Sequence, residues 1–432
     1  MAPLGRGRLL GYGLGSVGTG VFSAVPGLLL LYYLTDVLGV SAALAGAVLV
    51  VPKAWDVLLN PIVGAASDRE AIRTGRRTRL LAIGAVTLPI AFAAMFAAPG
   101  AGWVALAFVA AASAFACFQV PYVALPAEMS GSTAERTRIM AWRIVCLTAG
   151  ILVAGGLAPA IVEAAGNGRA GYAAMGVAVG LVMAVVLLVS TRSVRWVRSS
   201  PGPAPLGLVA SFRTARGNRP FFALLAAFVI QALGVSVMLA GAPYVAAYRL
   251  GNYGLTSVMF VCMVGLSAVA VPVWSWAARR FGMVTCYLAA TGGFTVAALA
   301  LIPAITSVPL TLAITALVGV CYAALQLLPL SLLPETVHAD TARTGHAQAG
   351  AFTGLWTAGE TAGMALGPGL YAAVLAFTSF ASAPFDSPAA QPDSALTGLT
   401  LGFTALPAAL MLASLPFVVA YRRLATKELT PA

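Results

Sequence analysis

The sequence predicts an all-α integral membrane protein with 12 transmembrane helices. Three observations support this prediction. Of the 432 residues, 60% are hydrophobic and only 9% are charged, whereas soluble globular domains are about 45–50% apolar and about 25% charged. At about 20 residues for each span plus short loops, a chain of this length suits about 12 helices. The charged residues also fall mainly between the apolar runs rather than within them.

Each predicted span is an apolar run long enough to cross a bilayer, and several contain Gly or Pro, which membrane helices tolerate when neighbours satisfy the freed backbone groups. The first run is too long for the apolar core of a cleaved signal peptide, so we expect this span itself to target the chain to the membrane. The predicted spans are 10–37, 42–66, 80–98, 102–127, 139–165, 170–190, 220–247, 254–278, 283–304, 307–334, 347–378 and 395–421.

The positions of the basic residues predict the orientation. Of the 25 lysines and arginines, 21 lie in the termini and even-numbered loops and two lie in the odd-numbered loops. The positive-inside rule therefore predicts that both termini are cytoplasmic. We expect the protein in the cell's inner (plasma) membrane, in contact with its lipids. The net charge of +12 does not indicate a nucleic-acid partner, because the basic residues do not gather on one face.

The chain is predicted to consist of two six-helix bundles, residues 1–190 and 220–432, joined by a cytoplasmic linker at 191–219. The linker is rich in Pro and Arg, and a regulatory segment is the alternative interpretation. Two pairs of residues recur in the second half after 211 and 207 positions, and these pairs are Pro61–Arg69 with Pro272–Arg280 and Gln119–Glu128 with Gln326–Glu335. Two pseudo-symmetric halves related by an axis normal to the membrane are typical of the major facilitator fold.

Several motifs carry a resemblance to a known family. They are GYG at 11–13, YYLTDVLG at 32–39, WD and NP in the second span, VPYVALPAEMSGSTAERTRIMAWR at 120–143 and GAFTGLWTAGETAGMALG at 350–367. This combination resembles the glycoside–pentoside–hexuronide:cation symporters of the major facilitator superfamily, along nearly the whole chain. The resemblance implies a secondary active transporter. Because that family also includes eukaryotic relatives that move lysolipids, the substrate stays open.

The resemblance also implies functional residues, several of which differ here. In the family's cation site, Asp56 matches the first of two acids, Asn60 replaces the second, and Ala116 replaces a hydroxyl ligand. The two acids that hold the sugar correspond to Gly20 and Gln119. The lysine of the eleventh span falls at Thr361, next to Glu360, and Arg143 matches an arginine that faces the cavity.

Asp56 is the predicted coupling residue. A carboxylate inside the bilayer costs about 2.5–3.5 kcal/mol on insertion scales, which suggests a function. Lys53 lies three residues earlier on the same helix face, so a permanent ion pair is the alternative. A single carboxylate is a poor sodium site, because hard cations prefer several oxygen ligands, and this favours H⁺. Glu360 is expected to be a second titrating group or a partner for Arg143, or a polar cavity-lining residue without a coupling role.

Other polar and aromatic residues are predicted to bind the solute. Gln119 and Gln326 can donate and accept hydrogen bonds in mid-span. Arg143 offers a planar fork of donors, although snorkelling at the cytoplasmic boundary is an equal alternative. Tyr122 and Trp356 could stack on a substrate ring, but helix packing or an interfacial belt is the alternative for each.

A set of charged residues at cytoplasmic helix ends is predicted to close one face of the transporter where the halves should meet. The alternative is that the basic members only reflect positive-inside topology. The set consists of Asp68, Arg69, Glu128, Arg136 and Glu335.

The sequence excludes several other functions. His338 and His346 are too far from other ligands for a metal site, and the five cysteines lie in apolar runs, where thiols act as small hydrophobes. No Walker motif and no nucleophile–base–acid set is present, so neither a primary pump nor an enzyme is expected, and no cofactor is implied.

We therefore expect a monomeric secondary transporter of a sugar, glycoside or related metabolite, with protons. The alternatives are a lysolipid or amphiphile transporter, an uncoupled facilitator, and a non-transporting receptor or scaffold.

Overall fold

The computed structural model describes residues 5–130, 132–198, 212–213, 215–344, 349–387 and 389–429, and these are almost entirely helical. Within this part of the chain the only β-structure is an isolated antiparallel bridge between Leu38 and Pro384, and no sheet forms. The predicted all-α class is therefore confirmed. The helices are long because a backbone that crosses lipid must satisfy its own hydrogen bonds.

Six helices precede the central linker. The first continues past Val25 through two π-helical turns, Pro26–Leu30 and Tyr33–Val37, and the first of these begins where Pro26 removes a backbone donor. The helices are α1 (Arg6–Val25), α2 (Ala42–Thr74), α3 (Thr78–Phe96), α4 (Ala101–Met129), α5 (Thr133–Ala164) and α6 (Arg169–Ser193).

In the described residues from 215 onward there are eight helical segments, and some of them join into longer rods. A π-helical turn at Val245–Arg249 extends α7, and another at Val261–Gly265 connects α8 with α9. The segments are α7 (Arg219–Tyr244), α8 (Leu255–Phe260), α9 (Leu266–Phe281), α10 (Met283–Ala304), α11 (Val308–Thr344), α12 (Ala349–Phe377), α13 (Asp393–Phe403) and α14 (Ala405–Leu429).

Among the described residues, 11 helical rods are long and apolar enough to cross a membrane. They coincide with 11 of the 12 predicted spans. The remaining span, predicted at 347–378, is α12, which has 29 residues. Its glycines and Glu360 lower its hydropathy, but its length is sufficient for a crossing at 1.5 Å per residue.

The chain divides into two compact units. The first unit comprises residues 1–204 together with 381–390, and the second comprises 205–380 together with 391–432. The predicted bundles had assigned 381–390 to the second half.

In the predicted linker, the side chain of Asn218 accepts a hydrogen bond of 2.8 Å from the backbone N–H of Phe221 and so caps α7. Residues 199–211 and 214, on which the regulatory alternative depends, lie outside the described residues.

Pro384 and Phe385, in the segment between α12 and α13, pack on loops of the first unit. Pro384 forms the β-bridge to Leu38 and lies against Gly39, whose φ of +70° favours glycine. A Cβ at Gly168 would lie 3.0 Å from the ring of Phe385, so this glycine leaves the space that the ring occupies. The loop between α12 and α13 therefore belongs structurally to the first unit.

Glycines allow close helix contacts inside each unit. In the first unit, a Cβ at Gly150 of α5 would lie 2.8 Å from the Cα of Val17 in α1. In the second, a Cβ at Gly319 of α11 would lie 2.6 Å from the carbonyl oxygen of Cys262 and closer still to Met263. Membrane helices use small residues in this way because van der Waals packing drives their association.

A buried polar cluster also holds the second unit together. The Tyr287 hydroxyl of α10 donates to Gln231 Oε1 of α7 at 2.7 Å. Gln231 Nε2 in turn donates to Thr291 Oγ1 at 3.2 Å and to Ser414 Oγ of α14 at 2.9 Å. Three helices therefore share one amide whose polar atoms all have partners, which fixes the orientation of that side chain.

Replacing Gly319 with Ala is expected to destabilise the protein. The added methyl group would overlap backbone carbonyls, and overpacking of this kind costs about 1–3 kcal/mol. Gly292→Ala in α10 is the matched control, because nothing lies within 4 Å of a Cβ at that position. Melting temperatures of both purified variants in detergent provide the measurement. Equal melting temperatures would show that the contact at Gly319 is not tight.

Candidate functional site

Asp56 occupies a buried position on α2. The residue is 7% exposed, and its Oδ1 atom has no hydrogen-bond partner among the described residues. The preceding residue anchors α2 to α4, because Trp55 Nε1 donates to Ser113 Oγ at 2.9 Å. A buried acceptor without a partner costs about 1–3 kcal/mol. Asp56 is therefore held where binding a proton or another ligand would relieve that cost.

Lys53 does not neutralise Asp56 through a salt bridge. The three salt bridges among the described residues involve neither side chain, although the two are close enough for an electrostatic interaction. Asn60, one turn further along α2, is half-buried. The permanent ion pair that the spacing allowed is not formed within 4 Å in this structure, and the carboxylate is left available.

Two further predicted residues of the first unit carry buried polar atoms without a partner. These atoms are Gln119 Oε1 on α4 and Arg143 Nε on α5, considered within the described part of the chain. The guanidinium carbon of Arg143 lies 5.9 Å from the ring centroid of Tyr122, at the outer limit of a cation–π contact. Together with Asp56, three helices each present an unsatisfied polar side chain, and in native proteins each such group calls for an explanation such as a ligand.

Tyr122 and Gly20 lie at contacts between packed helices. Tyr122 is 0% exposed, stacks on Tyr12 with ring centroids 4.5 Å apart, and donates a hydrogen bond of 2.6 Å to the carbonyl oxygen of Tyr12. A Cβ at Gly20 would lie 2.5 Å from the carbonyl oxygen of Leu147. Both residues therefore contribute to the contacts of α1 with its neighbours, and the close contact at Gly20 leaves no room for a larger side chain.

The second unit brings two of the predicted residues together and leaves two apart. Gln326 and Glu360 line one small pocket between α7, α11 and α12. Trp356 stacks on Phe228 with ring centroids 4.4 Å apart, and its Nε1 atom is buried without a partner among the described residues. Thr361 is half-buried and does not line that pocket.

Two of the predicted gate residues belong to one ionic cluster of the first unit, whose centre is Arg77. The Nη1 atom of Arg77 donates to Asp68 Oδ1 at 2.6 Å and to Ser67 Oγ at 2.9 Å, and its Nε donates to Glu128 Oε1 at 2.8 Å. Burial disfavours the charge of Arg77, but the hydrogen bonds and charges of Glu128 and Asp68 outweigh it, so the pKa of the guanidinium is raised above its ordinary value. The cluster joins the carboxy-terminal ends of α2 and α4.

Arg77 is not a named member of the predicted gate set, although it lies in the arginine-rich loop that follows Asp68. The available signal was Gly75, which ends α2 in the left-handed conformation with φ of +65° and lets the chain turn back. The other three gate candidates do not belong to the Arg77 cluster. Arg69 and Glu335 are exposed, and Arg136 Nε donates to the carbonyl oxygen of Ser130 at 2.7 Å.

Comparisons with known proteins agree with this architecture. The family of MFS/sugar transport proteins matches residues 11–422. A Synechocystis protein named uncharacterized symporter sll1374 is 25% identical, and the alignment covers 95% of this chain and 93% of that protein. The sodium-dependent lysophosphatidylcholine symporter 1 of mouse is 24% identical over 72% of this chain and 66% of its own length. These names describe transport proteins rather than enzymes.

Solved structures share the fold. A bacterial homologue of the human lysosomal transporter Spinster, in an inward-facing and unoccupied conformation, has a TM-score of 0.74 at 14% identity, covering 99% of this chain and 98% of that one. The nucleoside transporter NupG has a TM-score of 0.64 at 12% identity, covering 97% and 99%. At these identities the likeness concerns the fold alone, and it confirms the predicted major facilitator architecture.

Replacing Arg77 with Gln is expected to destabilise the first unit. The change leaves Asp68 and Glu128 as neighbouring negative charges, and charge-assisted hydrogen bonds contribute about 1.5–3 kcal/mol each when buried. The loss should be smaller at Asp68, whose side chain is 33% exposed. Arg79→Gln is the matched control, because Arg79 is exposed and donates to Glu70 through its backbone N–H. A lower melting temperature of Arg77→Gln alone is expected, and an equal effect of both changes would contradict the cluster's role.

Proposed function

Because the chain belongs to the family of MFS/sugar transport proteins, a family of multi-pass membrane transporters, we propose that it carries a small hydrophilic organic solute in symport with protons. The solute class is a sugar, a glycoside or a related hydroxylated metabolite. Transport proceeds by alternating access, in which the site opens to one side of the membrane and then to the other. Both termini lie in the cytoplasm, the membrane is the inner membrane of the cell, and the transporter acts as a monomer.

The observation that carries this proposal is the set of unsatisfied polar atoms in the first unit. Gln119 Oε1 and Arg143 Nε are buried without partners among the described residues. A solute with several hydroxyl groups supplies both donors and acceptors, and would satisfy an amide oxygen and a guanidinium N–H together. Unpaired groups of this kind raise the free energy of the empty site, so a ligand with hydroxyl groups gains affinity by pairing with them.

Proton coupling is supported by the isolation of Asp56. Its Oδ1 atom has no hydrogen-bond partner in the described part of the chain, and Asn60 supplies only one amide oxygen on the same helix, which is too few for a hard cation. A proton needs only this one carboxylate. If proton and solute both favour the same conformations, their differential affinities couple the two movements without any direct contact.

A second candidate function is the transport of a lysolipid or another amphiphile. The observation that favours it is the similarity to the mouse protein whose name states lysophosphatidylcholine as its substrate. The polar atoms at Gln119 and Arg143 favour the hydrophilic solute, because an acyl chain would leave both unpaired. A phosphate headgroup would pair with Arg143 alone.

A binding screen followed by transport tests the proposal. Thermal-shift measurements on the purified protein against sugars, glycosides, organic acids and lysolipids should show stabilisation by a hydroxylated solute, since a ligand that binds only the native state raises its stability. The stabilising compound is then supplied, labelled, to proteoliposomes. Uptake that requires the protein supports the proposal. Stabilisation and uptake confined to lysolipids would establish the second candidate instead.

Replacing Asp56 with Asn is expected to abolish accumulation driven by a pH gradient and to spare solute exchange at equal pH. The amide resembles the protonated acid in shape but cannot release a proton, so the conformational cycle continues without coupling. Proteoliposome uptake with an imposed pH gradient measures the first property, and counterflow measures the second. Accumulation should fall to the level seen with a protonophore.

The control for this prediction is Glu163→Gln, another acid-to-amide change in the first unit at an exposed position. It should accumulate solute as the unchanged protein does. Unchanged accumulation by Asp56→Asn would remove Asp56 from the coupling mechanism.

Replacing Asn60 with Asp is expected to create a response to sodium. The new carboxylate lies four residues after Asp56, on the same face of α2, and two carboxylates provide the oxygen ligands that one cannot. Stabilisation by NaCl relative to choline chloride is the measurement. Asn60→Ala serves as the control, because it removes the amide without adding charge. An identical salt response in all three proteins would show that the two positions do not share a ligand.

A further inference from the structure

A small pocket lies inside the second unit, between α7, α11 and α12. Its free volume is about 10 Å³, which is room for one water molecule. Four polar side chains line it, and apolar side chains make up the other five of its nine lining residues. The polar members are Gln231, Tyr322, Gln326 and Glu360.

The hydrogen bonds around the pocket leave specific atoms free. Gln326 Nε2 donates to the Tyr322 hydroxyl at 3.0 Å. Among the described residues, neither the hydrogen of that hydroxyl nor the Oε1 atom of Gln326 has a hydrogen-bond partner. Gln231 has partners for its amide oxygen and for both amide hydrogens. Its side chain, which lines one side of the pocket, is therefore held in a fixed orientation. The pocket thus offers one free donor and one free acceptor beside the carboxyl group of Glu360.

The surroundings of Glu360 differ among the helices that pack against α12. From α11 the titratable neighbour is Tyr322, which lines the same pocket as Glu360. From α7 the lining residues are uncharged. The helix α13 packs further along α12, where a Cβ at Gly398 would meet Thr378. No cation lines the pocket, and within the described residues Glu360 makes no salt bridge.

We infer that Glu360 is a second proton-binding residue, which completes the pocket's hydrogen bonds when it is in the acid form. The acid O–H can donate to Gln326 Oε1, directly or through the single water, and the Tyr322 hydroxyl can donate to the acid's carbonyl oxygen. The step forms one O–H bond on the carboxylate and breaks one O–H bond of a hydronium ion, which is left as water. Release reverses the step when water enters the pocket.

The composition of the wall favours a proton over a metal cation. Phe228, Val235 and Met364 are among the apolar residues that line the pocket together with Glu360, and a charge without a partner in apolar surroundings is costly. Sodium would need oxygen ligands around most of its surface. In contrast, the uncharged acid needs only the free donor and the free acceptor already present.

This inference rests on the proposed function, because it adds a proton site in the second unit to the one at Asp56 in the first. Glu360→Gln should therefore retain solute exchange and pH-driven accumulation through Asp56. Its uptake should depend less steeply on pH than that of the unchanged protein, because one of two protonation steps has been removed.

Infrared spectroscopy of the purified full-length protein tests the inference directly. A protonated carboxyl group has a C=O stretch separate from that of carboxylates. At neutral pH we expect such a band in the unchanged protein and in Glu163→Gln, and its loss in Glu360→Gln. Tyr322→Phe should shift the band without removing it, because one hydrogen bond to the acid is lost. Melting temperatures identify any variant that fails to fold.

The outcomes separate this inference from the proposed function. A band that is unchanged in Glu360→Gln, or one that responds to sodium rather than to pH, overturns the proton site even if Asp56 couples transport. If Glu360→Gln loses the band but the solute screen finds only lysolipids, the proton site stands and the proposed solute class fails. An unshifted band in Tyr322→Phe contradicts the hydrogen bond assigned here.

Discussion

Lipid supplies no hydrogen bonds, and the structure of this protein depends on that constraint. Long helices satisfy their own backbone groups, so the polar side chains inside the spans become the exceptions that need an explanation. The second unit shows one solution, in which Gln231 uses all its donors and acceptors with Tyr287, Thr291 and Ser414. The first unit shows the opposite arrangement, since Asp56 and Gln119 keep buried oxygen atoms that have no partner among the residues the structure describes.

The acids of the first unit illustrate how environment separates structural from functional groups. Asp68 and Glu128 both bind Arg77, at 2.6 and 2.8 Å, and this triad ties two helix ends together. Asp56 lies on the same helix as Asp68 but has no such partner within the described chain. A paired buried charge holds helices in place, whereas an unpaired one can change its state with its surroundings. This difference supports a structural role for the triad, and it is the reason why we propose Asp56 as the coupling residue.

Much of the fold and part of the site could be predicted from the sequence. The helices followed from apolar runs and loop charges, and the motifs predicted the family, which the family match along residues 11–422 confirms. Asp56, Gln119 and Arg143 could be singled out because polar groups are costly in a span. The stacking of Tyr122 on Tyr12, a contact across 110 positions, and the ionic role of Arg77 depend on long-range packing that no local pattern specifies.

The position of residues 381–390 has a consequence for how the chain can be divided. These residues belong to the first unit, through Pro384 at Leu38 and Phe385 at Gly168, yet they follow α12 and precede α13 of the second. Two polypeptides produced separately from either side of the linker would not correspond to the two units. The amino-terminal fragment would lack a segment that its own loops accommodate, and the carboxy-terminal fragment would carry that segment without the surface on which it packs.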